Sequence, residues 1–287
     1  MRPMGTHCVA NGRASAGGTK CNSSKNRLEG QNNLAHDVQH HRLASNQNMH
    51  TAANLPTNLH CAQGTDELAW QSALAAVPLW SPPDGPLLIV SPHPDNEVMA
   101  AGGLIYVWKQ CGRKVTILSL TDGEAAYPQW KRLGRIRREE LKDALQVLAE
   151  SPASVVRLGI PDGRVAEYTG KVRGAIMSLA SSNTTIISPF EEDGHPDHDA
   201  AGRICCEMAQ AHGLSVARYP IWTWHHADPS TVNRAAWRRF PLSDRAQAAK
   251  ADALGCFPSQ LAPYKRTPVV PEHLVRYFAR PYETFFL

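Results

Sequence analysis

Pro86-Leu-Leu-Ile-Val-Ser91, followed at once by Pro92-His-Pro-Asp-Asn-Glu97, is the stretch on which the fold turns. The apolar run is short and unbroken, as a strand buried on both faces must be. A helix is expected from Glu97 to Cys111, with Gly112 as its stop. Outward from this unit the alternation repeats. Lys114 to Leu120 reads as a strand, and Trp130 to Glu150 as an amphipathic helix with Leu141, Leu145 and Leu148 on one face. Ser154–Leu158, Thr184–Ser188 and Ser215–Ile221 read as strands, with helices expected over Val165–Ser181 and Pro196–His212. Two further helices are expected over Ser243–Cys256 and Pro271–Ala279, and a packed strand over Tyr282–Leu287. The series predicts an α/β chain: a Rossmann-like, mostly parallel sheet with helices on both faces.

Bulk composition narrows the function classes. The 287 residues are 43% apolar, enough for a sizeable core, and the formal charge is only +4. The basic stretch Lys131–Arg138 runs into Glu139 and Glu140 and reads as a solvated helix face. Nucleic acid is therefore not an expected partner. The chain has seven cysteines and no CxxC, so neither a disulfide framework nor a thiolate metal site is indicated. No apolar run reaches the roughly 20 residues of a membrane span, and no apolar segment marks a secretory signal. A reducing, cytoplasmic setting is expected. Residues 1–64 are rich in Asn, Gln, Ser, Gly, Thr and His without apolar periodicity, and are expected to be disordered. Translation starting at Met49 instead of Met1 is compatible with that reading. Residues 65–287 are assigned to one domain.

Open sheets of this kind bind ligands beyond the carboxyl ends of their strands. Three such ends carry Ser91-Pro-His-Pro-Asp-Asn-Glu97, Thr121-Asp-Gly-Glu124 and Phe190-Glu-Glu-Asp-Gly-His-Pro-Asp-His198. They gather His93, Asp95, Asn96, Glu97, Asp122, Glu124, Asp193, His195, Asp197 and His198. Unpaired burial of such groups costs several kcal/mol each, and a metal ion relieves it. His93 and Asn96 are three apart across a turn, as are His195 and His198, with Pro196 suited to a first helical turn. Two histidines from separate loops plus one oxygen donor make a catalytic zinc site with an open position. Either HPD segment alone is equally an ordinary helix cap. Thr121–Glu124 is a glycine turn or a substrate contact. Trp222, Trp224, His225 and His226 either stack on a ligand or close the core edge. A dinucleotide-binding reading fails, because the first turn lacks G-x-G-x-x-G.

These residues resemble the LmbE/PIG-L family of zinc-dependent N-acetylglucosaminyl deacetylases, bacterial branch. The resemblance rests on His93-Pro-Asp-Asn-Glu97, Gly102-Gly103, Thr121–Glu124, Arg137/Glu140/Ala144, Leu158–Gly163 and His195–His198, in that order. Tyr219–His225, Lys250 and Ser259-Gln260 extend it. It implies a hydrolase that removes an acetyl group from an N-acetylated sugar or glycoconjugate. It further implies His93, Asn96 and His198 as zinc ligands and Asp95 as the base that activates the zinc-bound water. His195 would stabilise the oxyanion and help protonate the amine. Asp122, Glu124, Arg137, Trp224 and His225 are the substrate-facing candidates. Asn96 departs from the family's aspartate and offers zinc a neutral oxygen. That departure keeps a rival in view: an impaired or non-catalytic relative that binds a sugar or nucleotide-sugar.

Overall fold

A computed structural model describes residues 64–263 and 266–287. The disorder expected for residues 1–64 falls, Gly64 apart, outside the described residues, as does Met49. Those residues form a seven-stranded sheet in the order β3-β2-β1-β4-β5-β7-β6. Its strands are β1 (Leu87–Ser91), β2 (Val115–Ser119), β3 (Ser154–Arg157), β4 (Thr185–Pro189), β5 (Ser215–Tyr219), β6 (Trp237–Pro241) and β7 (Tyr282–Phe286). β1 pairs in parallel with β2 on one side and β4 on the other. β3 and β5 extend the parallel set, and β7 runs antiparallel to both β5 and β6. The chain therefore winds outward from β1 through β2 to β3, then restarts on the opposite side with β4 and β5. The reversal opens a crevice at the carboxyl ends of β1 and β4, where the two HPD segments lie.

The strand period of two splits the apolar residues between two cores. Leu87 and Ile89 join Val115, Ile117, Ile187 and Ala217 on one face; Leu88 and Val90 join Leu118 and Ile186 on the other. Helices α2 (Asn96–Gln110), α3 (Leu133–Leu148) and α7 (Asp244–Leu254) cover the first face. Helices α4 (Thr169–Leu179) and α5 (Pro196–His212) cover the second. Shorter helices are α1 (Glu67–Leu74), α6 (Thr223–His226), α8 (Pro258–Leu261) and α9 (Glu272–Phe278).

Besides the short helices α1, α6 and α8, which the sequence pattern does not announce, three details depart from the sequence reading. The helix expected from Val165 begins as a 3-10 turn, Val165–Tyr168, and becomes α-helical at Thr169. The helix expected from Trp130 begins at Leu133. Strand β6, Trp-Arg-Arg-Phe-Pro, was not expected. Consecutive arginines and a closing proline hide its alternation, and such residues are typical of an edge strand. Within α2, Ala101 leaves helical geometry at φ −138°, and the amides of Gly103 and Leu104 donate to the buried Glu283 carboxylate at 2.8 and 2.9 Å. Lys250 of α7 pairs with the same carboxylate at 2.8 Å.

Gly202 shows how tightly α5 is seated. A Cβ there would lie 2.7 Å from the Pro189 carbonyl oxygen and 2.8 Å from the Glu191 backbone. Backbone cannot swing aside as a side chain can. Gly202→Ala is expected to destabilise by about 1–3 kcal/mol and to shift His198 on the same helix. Chemical denaturation measures the first effect. An unchanged midpoint would show that α5 is not held where described.

Candidate metal and catalytic site

The site begins with a strained residue. Asp95, the N-cap of α2, has φ 130° and ψ −31°, the one positive φ outside glycine among the described residues. Such a conformation costs on the order of 1–3 kcal/mol and persists only where the surroundings hold it. They do so here. The Asp95 amide donates to Glu97 Oε1 at 3.1 Å, and its carbonyl accepts from the amides of Val98 and Met99. Asn96 Nδ2 donates to its Oδ1 at 3.0 Å, and Arg137 Nη2 to its Oδ2 at 3.1 Å. Burial pushes the Asp95 carboxyl up to about 6, although Arg137 and His93 oppose the shift. Burial likewise pushes Glu97, bonded to the Ser91 hydroxyl, up to about 7.

Three imidazoles converge beside it. One ring nitrogen from each of His93, His195 and His198 lies within 4.8 Å of the others. Carboxylates fix how two of these rings face. His93 Nε2 lies 3.0 Å from Asp162 Oδ1 and 3.2 Å from Asp197 Oδ2, so that nitrogen carries the proton. His198 Nδ1 lies 2.8 Å from Asp193 Oδ2 and is the protonated nitrogen of its ring. His93 Nδ1 and His198 Nε2 face each other across 3.2 Å. Were both rings neutral, two lone pairs would meet there, so the pair needs a positive charge between them, supplied by a proton on His93 or by a metal ion. Burial by itself would lower the His93 pKa, but Asp162 and Asp197 raise it to about 10. That proton holds the position in the metal-free chain, and a metal ion would displace it: the donors fit one by their proximity, each anchored from behind by a carboxylate as metal-binding histidines usually are.

His195 faces differently. It caps α5, and its Nδ1 accepts from the Asp197 amide at 3.1 Å. Its neutral form therefore carries the ring proton on Nε2, as a donor. Asn96 presents Oδ1 to the His93 amide at 3.2 Å. Both Asn96 and Arg137 line the cavity with the three histidines and Asp95. Arg137 Nη1 and Nη2 also donate to the carbonyls of Gly123 and Pro94, while its Nε has no hydrogen-bond partner in the structure. Gly123 has φ 63°, and a Cβ there would sit 2.0 Å from Arg137 Nη1, so the turn needs glycine on both counts.

The other sequence candidates lie off the cavity. Asp122 pairs with Arg138 at 2.6 Å, and Glu124 Oε1 accepts from the Asp162 amide at 3.0 Å. Trp224 packs in an aromatic cluster with Trp70 and Trp237, and the Arg280 guanidinium sits 4.2 Å above its ring. His225 is buried beside His273. Trp222 is the member of that segment that lines the cavity. Sequence reasoning missed the role of Asp162. In the sequence Leu158–Gly163 stands out only as a turn that resembles the family's, although a lone carboxylate at a β3 end beside two histidine loops is the available signal.

A Rossmann-like α/β domain with a histidine and carboxylate cluster at its switch point defines the class. Residues 88–209 match the PIG-L family, described as GlcNAc-PI de-N-acetylase. It is 33% identical over 131 residues to a probable N-acetyl-alpha-D-glucosaminyl L-malate deacetylase 2 of Bacillus cereus, covering 41% of this chain and 57% of the relative. It is 26% identical over 187 residues to a 1D-myo-inositol 2-acetamido-2-deoxy-alpha-D-glucopyranoside deacetylase of Nocardia farcinica, covering 54% and 62%. The chain thus spans about three fifths of the length of these relatives. The solved A40926 pseudoaglycone deacetylase shares the fold at a TM-score of 0.53 and 19% identity, over 70% of this chain and 95% of that one. No helix among the described residues is long and apolar enough to cross a membrane.

Proposed function

We propose that this chain is a zinc-dependent amidohydrolase that removes an acyl group from an N-acetylated sugar or sugar-like amine. The convergence of His93, His195 and His198, two of them anchored by carboxylates, carries the reading, and the relatives' deacetylase activities support it. His93 Nδ1, His198 Nε2 and the Asn96 amide oxygen would hold the ion. Zinc supplies a Lewis acid for the amide carbonyl and lowers the pKa of a water toward 7. Asp95 takes the proton of the attacking water, its carboxylate held at the cavity by Asn96 and Arg137. His195 donates from Nε2 to the oxygen that gains charge and helps protonate the departing amine. Acetate and a free amine leave. Zinc-loaded protein incubated with a panel of N-acetylhexosamines and their glycosides should release acetate and primary amine in equal amounts. Release from none of them overturns the reading.

Asn96→Asp separates a ligand from a bystander. The change places a carboxylate where Asn96 Nδ2 now donates to Asp95, so the metal-free variant carries two adjacent carboxylates. An anionic donor also binds zinc more tightly than an amide. The variant should melt lower than the natural chain without metal, and gain more from zinc. Its zinc affinity should rise at least about tenfold, at the lower end of what changes around a metal site produce. An unchanged affinity would remove Asn96 from the coordination sphere.

A further inference from the structure

We infer that Glu97 and Ser91 are positioning residues: together they clamp the turn between β1 and α2 so that the Asp95 carboxylate faces the cavity instead of capping its own helix. The inference rests on the deacylase reading, in which Asp95 is the base. An aspartate at a helix N-cap ordinarily keeps an extended backbone and turns its carboxylate onto the amides of the first turn. Asp95 does neither. Its φ is 130°, its side chain makes no capping hydrogen bond, and its oxygens go to Asn96 and Arg137, which line the cavity with it. Its amide is taken by Glu97 Oε1 at 3.1 Å.

Glu97 is the second residue of α2 and reaches back to the N-cap amide as the glutamate of a capping box does, one position earlier than usual. Its other oxygen, Oε2, meets the hydroxyl of Ser91, the last residue of β1. Ser91 Oγ lies between that oxygen and the His93 carbonyl, which it reaches at 2.7 Å. The same carbonyl accepts the Asn96 amide at 3.2 Å. One carboxylate and one hydroxyl therefore grip the turn at two points, the backbone of the metal donor His93 and that of Asp95. Both side chains are fully buried, and neither lines the cavity, so they act through the turn and not on a bound molecule. A capping box on an ordinary helix serves stability alone. Here its bond holds a φ that an aspartate keeps only where its surroundings impose it. Glutamine at position 97 retains an oxygen for the Asp95 amide and brings a donor to Ser91 Oγ, which leaves the hydroxyl proton for the His93 carbonyl. Leucine fills similar space and offers neither.

Glu97→Leu, Glu97→Gln and Ser91→Ala test the clamp, with zinc saturating and the panel substrate that the natural chain turns over fastest. A base displaced by about 1 Å costs about 10²-fold, and Glu97→Leu should lose that much in kcat with KM nearly unchanged. Glu97→Gln should keep the natural kcat, and Ser91→Ala should lose kcat by less than Glu97→Leu does. A Leu variant that melts lower at the natural kcat makes Glu97 a helix cap and overturns the inference. A Gln variant as slow as the Leu variant also overturns it, because the carboxylate charge itself is then needed. Where Glu97→Leu does not fold, the other two decide: natural kcat in Glu97→Gln with reduced kcat in Ser91→Ala supports the clamp, and any other pair of results overturns it. Hydrogen exchange at the Asp95 amide, followed by NMR, reads the clamp without turnover. It should be about tenfold faster in Glu97→Leu, faster in Ser91→Ala and unchanged in Glu97→Gln. A natural chain that hydrolyses no panel member fails the deacylase reading, and this exchange pattern then leaves the clamp standing. Exchange that neither Glu97→Leu nor Ser91→Ala alters, with or without hydrolysis, overturns the inference.

Discussion

Asp95→Asn is expected to lower kcat by about 10²- to 10⁴-fold while leaving zinc content unchanged. Asparagine keeps the shape of the side chain and an oxygen for Arg137 Nη2, but it cannot take a proton. It leaves the metal donors in place, since the hydrogen bonds of the Asp95 carboxylate go to Asn96 and Arg137 and not to His93 or His198. The pH dependence has a definite sign. A general base works when deprotonated, so the rate should rise with pH through the Asp95 pKa. Burial raises that value to about 6, and a cation held by the histidines pulls it lower. The rising limb of kcat/KM should therefore lie at or below about pH 6 in the natural chain and disappear in the variant. Loss of zinc together with activity would make Asp95 a ligand instead.

Asp193→Ala should have the largest effect on stability. The buried carboxylate accepts from the backbone amides of Ile221, Trp222 and Thr223, from the Thr223 hydroxyl and from His198 Nδ1. It pins the segment after β5 to the loop after β4 and sets the ring of one metal donor. Removing one partner of a buried ionic pair typically costs about 3–5 kcal/mol. Zinc affinity should fall about 10- to 100-fold as His198 loses its anchor. Urea unfolding and a zinc titration on the same variant measure both; a stability loss under about 1 kcal/mol would contradict the hub role. Burial alone would raise the Asp193 pKa, but the bonds from His198 and Thr223 leave it below the ordinary carboxylate value. A depressed folded pKa stabilises above the unfolded value of about 3.9 and is lost as pH falls through the folded one. The stability gap between the natural chain and the variant should accordingly narrow only in acid, below about pH 4.

The sequence made the parallel core legible because its strands are buried on both faces and its helices are amphipathic. Leu87–Ser91 and Val115–Ser119 could not be read as solvated segments. The antiparallel edge was harder. Tyr282–Phe286 was expected as a strand, but its partner Trp237–Pro241 carries exposed-edge chemistry that imitates a loop. At the site, strand-end placement alone gathers His93, Asp95, Asn96, His195 and His198. Tautomers were beyond it. Which nitrogen of His93 faces His198 depends on Asp162, more than sixty positions away in the chain. The Lys131–Arg138 stretch was read as a solvated face, yet Arg137 is 3% exposed and reaches Asp95. Helical periodicity names a face without naming what packs on it. The same limit explains Trp224, whose aromatic surface serves the core while Trp222, two residues earlier, meets the cavity.

The metal centre is the claim on which the rest depends, and calorimetric zinc titration of chelator-stripped protein tests it most directly. The histidines outside the cluster, including His36, His40 and His41, make the variant comparison essential. The natural chain should bind about one zinc ion that is absent from the His93→Ala and His198→Ala titrations. No binding with zinc in excess, or an isotherm that both substitutions leave unchanged, would contradict the account.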